Sequence, residues 1–150
     1  MPYKHTQIGY FMIVCGAIAL VIALEVFFRK ATVTSMLGGL AAIFVIIGLF
    51  ATLTVEIRDG FLKFRFGLGL IRKKLKVAEI ESCEVVRNPW YYGWGIHATG
   101  KGWVYNVSGF EAVEIFMSDG RRLRIGTDEP DLLRKAILTA KMETRKGQRA

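Results

Sequence analysis

Two apolar runs, Ile8 to Phe28 and Val33 to Val55, are separated only by Arg29-Lys30-Ala31-Thr32, and they constrain this 150-residue chain more than any other feature. At about 1.5 Å of rise per residue, each run written as a helix reaches the roughly 30 Å of a hydrocarbon core. The second run carries no charge. The sequence therefore predicts a membrane α-hairpin of two transmembrane helices over residues 1–55, with a mainly-β domain over residues 56–150. A secretory signal cleaved after Ala17-Ile18-Ala19 accounts for the first run less well, because the apolar residues continue to Phe28 and a second run follows at once.

Charge is distributed as unevenly as hydropathy. Of 21 Lys and Arg, only Lys4, Arg29 and Lys30 precede residue 54, so the remainder carries 18 bases against 12 acids. Lys4 on one side, with Arg58, Lys63, Arg65, Arg72, Lys73 and Lys74 close behind the second run, outweighs Arg29 and Lys30 in the turn. That bias places both termini and the domain in the cytoplasm. Glu25, the one charge within the runs, stands four residues before Arg29 and can pair with it along a helix face. Small residues recur at helical spacing, with Ala19 and Ala23 on the first helix and Gly39 and Ala42 on the second. They are candidates for close helix packing.

From Leu53 the period becomes two: Leu53, Val55 and Ile57 alternate with Thr54, Glu56 and Arg58. Asp59-Gly60 then opens a tight turn into a run in which apolar residues alternate with Lys63 and Arg65, which reads as a β-hairpin. Further strand-like segments follow, the last pair turned at Ser118-Asp119-Gly120. An amphipathic helix over about residues 128–145 closes the chain, with acids at its start and Lys141, Arg145 and Lys146 near its end. Cys15 and Cys83 fall in unlike segments and read as reduced thiols. Neither they nor His5 and His97 have metal-ligand spacing, so no metal or cofactor is expected.

Several motifs have local wording of their own: Phe64-Arg65-Phe66-Gly67-Leu68-Gly69-Leu70, Tyr92-Gly93-Trp94-Gly95-Ile96, Asn106-Val107-Ser108-Gly109 and Asp119-Gly120-Arg121-Arg122-Leu123-Arg124-Ile125-Gly126-Thr127-Asp128. Together with the two apolar runs they make the chain resemble the bacterial pleckstrin-homology-like membrane proteins, in which a two-helix anchor precedes the domain. The resemblance implies a bent antiparallel sheet or barrel plugged by a C-terminal helix, and a multi-pass protein of the bacterial inner membrane. It brings no catalytic residues and does not by itself imply phosphoinositide binding.

The densest basic cluster is Arg72-Lys73-Lys74 with Lys76, and Arg122 and Arg124 share a strand face. These six are the candidates for an anionic headgroup or membrane surface, where each base contributes on the order of 1 kcal/mol. Gly95 to Gly102 imitates a phosphate-binding loop, but it runs into strand-like alternation where that motif needs a helix N-terminus. Trp90, Tyr91, Tyr92, Trp94 and Trp103 fit either interfacial anchoring or packing. Nucleic acid is not expected as a partner.

The function these features predict is non-catalytic: a binding or scaffolding module at the membrane, with the lipid bilayer and another membrane or cytoplasmic protein as partners. Self-association is compatible with the same features. The alternative is a subunit of a membrane complex that uses the helical hairpin as its interface. A membrane-surface enzyme would have to draw on His97, Glu84, Glu111, Glu114 or Cys83, whose spacing implies no shared site.

Overall fold

Alternation in the sequence becomes two packed sheets in the computed structural model, which describes residues 2–30 and 33–147. Strand β1 (Tyr3–Ile8) leads directly into helix α1 (Tyr10–Lys30), and α2 (Val33–Phe50) returns into β2 (Thr52–Arg58). Strands β3 (Phe61–Phe66) and β4 (Ile71–Lys76) complete an antiparallel four-stranded sheet in the order β1-β2-β3-β4. Then come β5 (Ile80–Arg87), β6 (Gly95–Thr99), β7 (Gly102–Asn106), β8 (Glu111–Met117) and β9 (Arg122–Gly126). They form a second sheet in the order β5-β8-β9-β7-β6, mixed because β7 and β9 run parallel. Helix α3 (Pro130–Gly147) follows.

The Asp59-Gly60 turn lies where the sequence places it. Both residues have positive φ, 54° and 74°, the backbone that a two-residue hairpin between twisted strands requires. One face of the first sheet then turns Leu53, Val55, Ile57, Leu62, Phe64 and Phe66 inward, all buried. They meet Tyr105, Val113, Ile115 and Ile125 from the second sheet, and α3 closes the core with Leu133 and Ile137.

The helices differ from the expected anchor. Among the described residues no helix is both long and apolar enough to cross a membrane. The physical reason lies in where the apolar runs divide. Ile8 belongs to β1 and Thr52–Val55 to β2, so α2 keeps 18 residues, about 27 Å. In α1 the uncharged part ends at Glu25, about 22 Å from its start. The two transmembrane helices, the transmembrane hairpin fold class and the multi-pass inner-membrane location with cytoplasmic termini are therefore corrected. The all-antiparallel bent sheet or barrel is corrected too, since the strands form two sheets and one is mixed. The boundary at residues 55 and 56 runs through β2, and β1 joins the domain's sheet from ahead of the helices. The pairing of Glu25 with Arg29 rests on a side chain outside the described residues, as does the turn at Ala31-Thr32.

The two helices lie against each other through Gly16, where a Cβ would run into the Ile47 side chain. Ala19 and Ala23 are half-buried along the same stripe of α1, whereas Gly39 and Ala42 are exposed and a Cβ on Gly39 would meet nothing within 4 Å. Away from this contact the hairpin presents apolar side chains to the outside, among them Ile18, Val21 and Ile22 on α1 and Phe44, Val45 and Ile46 on α2.

Strand β1 is tied to the start of α3. His5 Nε2 lies 2.6 Å from Asp128 Oδ1, and its Nδ1 lies 3.2 Å from Glu129 Oε2. Beside them burial, reinforced by Glu129 and Asp128, pushes the Tyr3 hydroxyl up to about 12 from 10.0. The folded state thus holds that proton more tightly than the unfolded chain does. The associated stability is complete below pH about 10 and is lost as pH rises towards 12. A Tyr3→Phe variant should therefore show a shallower fall in urea midpoint across that alkaline window than the parent, with parallel curves at neutral pH.

Candidate functional site

The outer face of the first sheet is built from the residues that alternate with the core set. Cross-strand register aligns them in rows, Thr6, Thr54, Arg65 and Arg72 nearest the helices, then Lys4, Glu56, Lys63 and Lys74. A third row holds Arg58, Phe61 and Lys76. Two of these cations have acidic neighbours: Arg58 lies 3.4 Å from Asp59, and Lys76 lies 3.0 Å from Glu79. Lys63, Arg65, Arg72 and Lys74 instead surround an open groove of about 430 Å³ that contains the single carboxylate Glu56.

Lys63 stands directly opposite Lys74, and Arg65 opposite Arg72. Like charges at opposed positions destabilise a sheet, whereas opposite charges there would stabilise it by roughly 0.2–1 kcal/mol. Lys63 also faces Glu56 across β2, so Arg65 and Arg72 are the pair with no acid in their row. Only Lys74 has a ring beneath it, its ammonium 3.6 Å from the Phe61 centroid.

This end of the sheet also carries apolar groups. The β3–β4 turn sets Leu68 and Leu70 outward, 80% and 77% exposed, between Arg65 and Arg72 in the chain. The same turn is fastened to the base of α2, where Leu68 N–H donates to the Gly48 carbonyl at 3.2 Å. On the other side of the hairpin, Phe11 of α1 stacks on Trp94 with centroids 3.9 Å apart, while Trp90 and Tyr91 stay exposed.

The six cations expected from the sequence therefore separate. Arg72, Lys74 and Lys76 share the outer face. Lys73 takes the opposite phase, in register with buried Phe64, and its ammonium lies 5.1 Å from the Tyr105 centroid and 5.6 Å from that of Trp103. Arg122 and Arg124 share one face of the second sheet, but Arg122 lies over Phe116 at 5.0 Å. Arg124 is engaged internally: its Nε donates to Glu114 Oε1 at 3.1 Å, its Nη1 to Asn88 Oδ1 at 3.2 Å, and Tyr92 lies beneath it at 5.6 Å.

Sequence reasoning missed Lys63 and Arg65 as members of the groove. The signal was present, because a two-residue Asp59-Gly60 turn fixes Arg58 opposite Phe61 and so Glu56 opposite Lys63. Of the enzyme candidates, Cys83 is buried, which raises its thiol above the ordinary value, and His97 Nε2 is 2.7 Å from the Trp94 carbonyl oxygen. Two positions, Val104 and Arg124, lie between His97 and Glu114 across the sheet. No protein-family model matches the chain, and no curated protein matches it.

Proposed function

We propose that this chain is a non-catalytic binding module that docks from one side onto an anionic lipid surface. The observation that carries the reading is the two pairs of opposed like charges, Lys63 with Lys74 and Arg65 with Arg72, placed beside exposed Leu68 and Leu70 at the foot of an apolar hairpin. Cations bordering apolar side chains match the chemistry of an anionic amphiphile, whose headgroups meet the bases and whose chains receive the leucines. Contact of this kind needs no helix to cross.

Co-sedimentation of the full chain with phosphatidylglycerol-containing vesicles, against neutral phosphatidylcholine vesicles, tests the reading. Binding should be stronger to the anionic vesicles and should weaken as salt is raised. A double Arg65→Gln and Arg72→Gln variant should lose about 2 kcal/mol, roughly thirtyfold in affinity. The same variant should melt at a higher temperature than the parent, because a like-charge pair has gone. Equal binding to both vesicle types would sink the proposal. Salt-insensitive association with a protein would favour instead a complex subunit that packs the exposed side of α2, where Phe44, Val45 and Ile46 stand.

A further inference from the structure

We propose that a second, smaller site lies in the cleft where β4 of the first sheet faces β7 and β9 of the second, and that it takes the phosphate group of a small soluble phosphate monoester. Lys73 borders both this cleft and the outer groove, but every other residue of the cleft comes from β7, β9 or the turns beside them, so the two readings are tested by different variants.

Lys73 is the informative residue. Its phase on β4 is that of Ile71 and Leu75, which turn towards the core. Lys73 itself is exposed, at the open end of that inward-facing row. The lysine is held by the faces of Tyr105 and Trp103, contacts that orient an ammonium without neutralising it. Across the cleft stand Lys101, at the tip of the β6–β7 turn, and Arg122, which also rests on a ring, that of Phe116. Arg121 lies at the rim, its Nε bonded to Asp119 Oδ2 at 2.6 Å.

No carboxylate lines this cleft, and three of its four cations, Lys73, Lys101 and Arg122, have no acidic partner among the described residues. Its volume is about 270 Å³, just below the roughly 300–1,000 Å³ of pockets that enclose drug-sized ligands. Compact size, unneutralised positive charge and a half-exposed indole wall fit a phosphate dianion on a short polar stem. The phosphate-loop imitation in the sequence supplies Lys101 here as part of a β-turn, with no helix N-terminus involved.

The chain has three tryptophans, so the indole N–H signals of the nitrogen-labelled full chain give a direct readout, with Trp103 assigned by its loss in a Trp103→Phe variant. Titration with glycerol phosphate, and separately with inorganic phosphate, should shift the Trp103 signal saturably, while chloride at matched ionic strength should not. Lys73→Met should weaken that response roughly tenfold, and Lys101→Gln should weaken it too. The Arg65→Gln and Arg72→Gln variant should respond as the parent does. An unmoved Trp103 signal, an equal shift with chloride, or an undiminished shift in both lysine variants would overturn the proposal. Failure of vesicle binding with this response intact would count only against the lipid reading.

Discussion

Arg124→Ala should lower the unfolding free energy by about 3–5 kcal/mol, read as a fall in urea midpoint at unchanged slope. The side chains of Arg124 and Glu114 are only 14% and 10% exposed. Removing the guanidinium leaves the Glu114 carboxylate without its counter-charge in a poorly hydrated place, and it takes the donor from Asn88 and the cation from Tyr92. Those two residues flank Pro89, Trp90 and Tyr91, so that segment should loosen as well. Replacing both partners by leucine should recover most of the loss, because an apolar pair leaves no uncompensated charge. Arg122→Ala, two residues away on the same strand but exposed, should stay within about 0.5 kcal/mol of the parent. An Arg124→Ala effect as small as that expected for Arg122→Ala would show that the network contributes nothing to stability.

Gly67→Ala should be the other severe change, costing about 2–5 kcal/mol from two sources. Gly67 has φ of 43°, a left-handed backbone that costs a residue with a Cβ roughly 1–2 kcal/mol. The added carbon would also drive into the Gly48 carbonyl oxygen and lie 2.8 Å from that of Leu49, and overpacking of this kind costs about 1–3 kcal/mol. Both obstacles are backbone at the end of α2, so no side chain can swing away. The strain should appear where the hairpin meets the sheet, as faster amide exchange at Gly67, Leu68 and Gly69, whose N–H groups bond to Thr52, Gly48 and Phe66. Gly120→Ala, where the left-handed φ is 84° but nothing crowds the Cβ, should incur only the first cost and so separates the two.

What the sequence makes legible follows from how local each determinant is. Alternation at Leu53, Val55 and Ile57 and the Asp59-Gly60 turn are short-range chemistry, and they identify the β2–β3 hairpin without help from the rest of the molecule. The ends of the apolar runs are not local in that sense. Leu53-Thr54-Val55 can extend a helix or begin a buried strand, and only pairing with Phe64, Arg65 and Phe66 decides for the strand. Strand β1 was invisible for a related reason, since its partner lies across the whole hairpin and neither strand names the other. The basic residues show the same division. Composition finds Arg72 to Lys76 as a cluster, but it takes strand register to add Lys63 and Arg65, to turn Lys73 to the other side, and to place Arg124 on Glu114. That last pair could have been reached from the Ser118-Asp119-Gly120 turn by counting outward along the strands.

Each helix of the hairpin joins a strand through a single residue, Gly9 at one foot and Ala51 at the other. α1 begins two residues after β1 ends, α2 ends two residues before β2 begins, and the feet are joined by the Gly9 N–H donating to the Ala51 carbonyl at 2.7 Å. Beyond them β1 and β2 run in unbroken register from Ile8 with Thr52 to Tyr3 with Ile57. Since β2 is hydrogen-bonded to β3 and β3 to β4, a helix pair about 30 Å long is continuous through one ladder with the strands that carry the cation rows. The hairpin and the charged face thus belong to one hydrogen-bonded sheet.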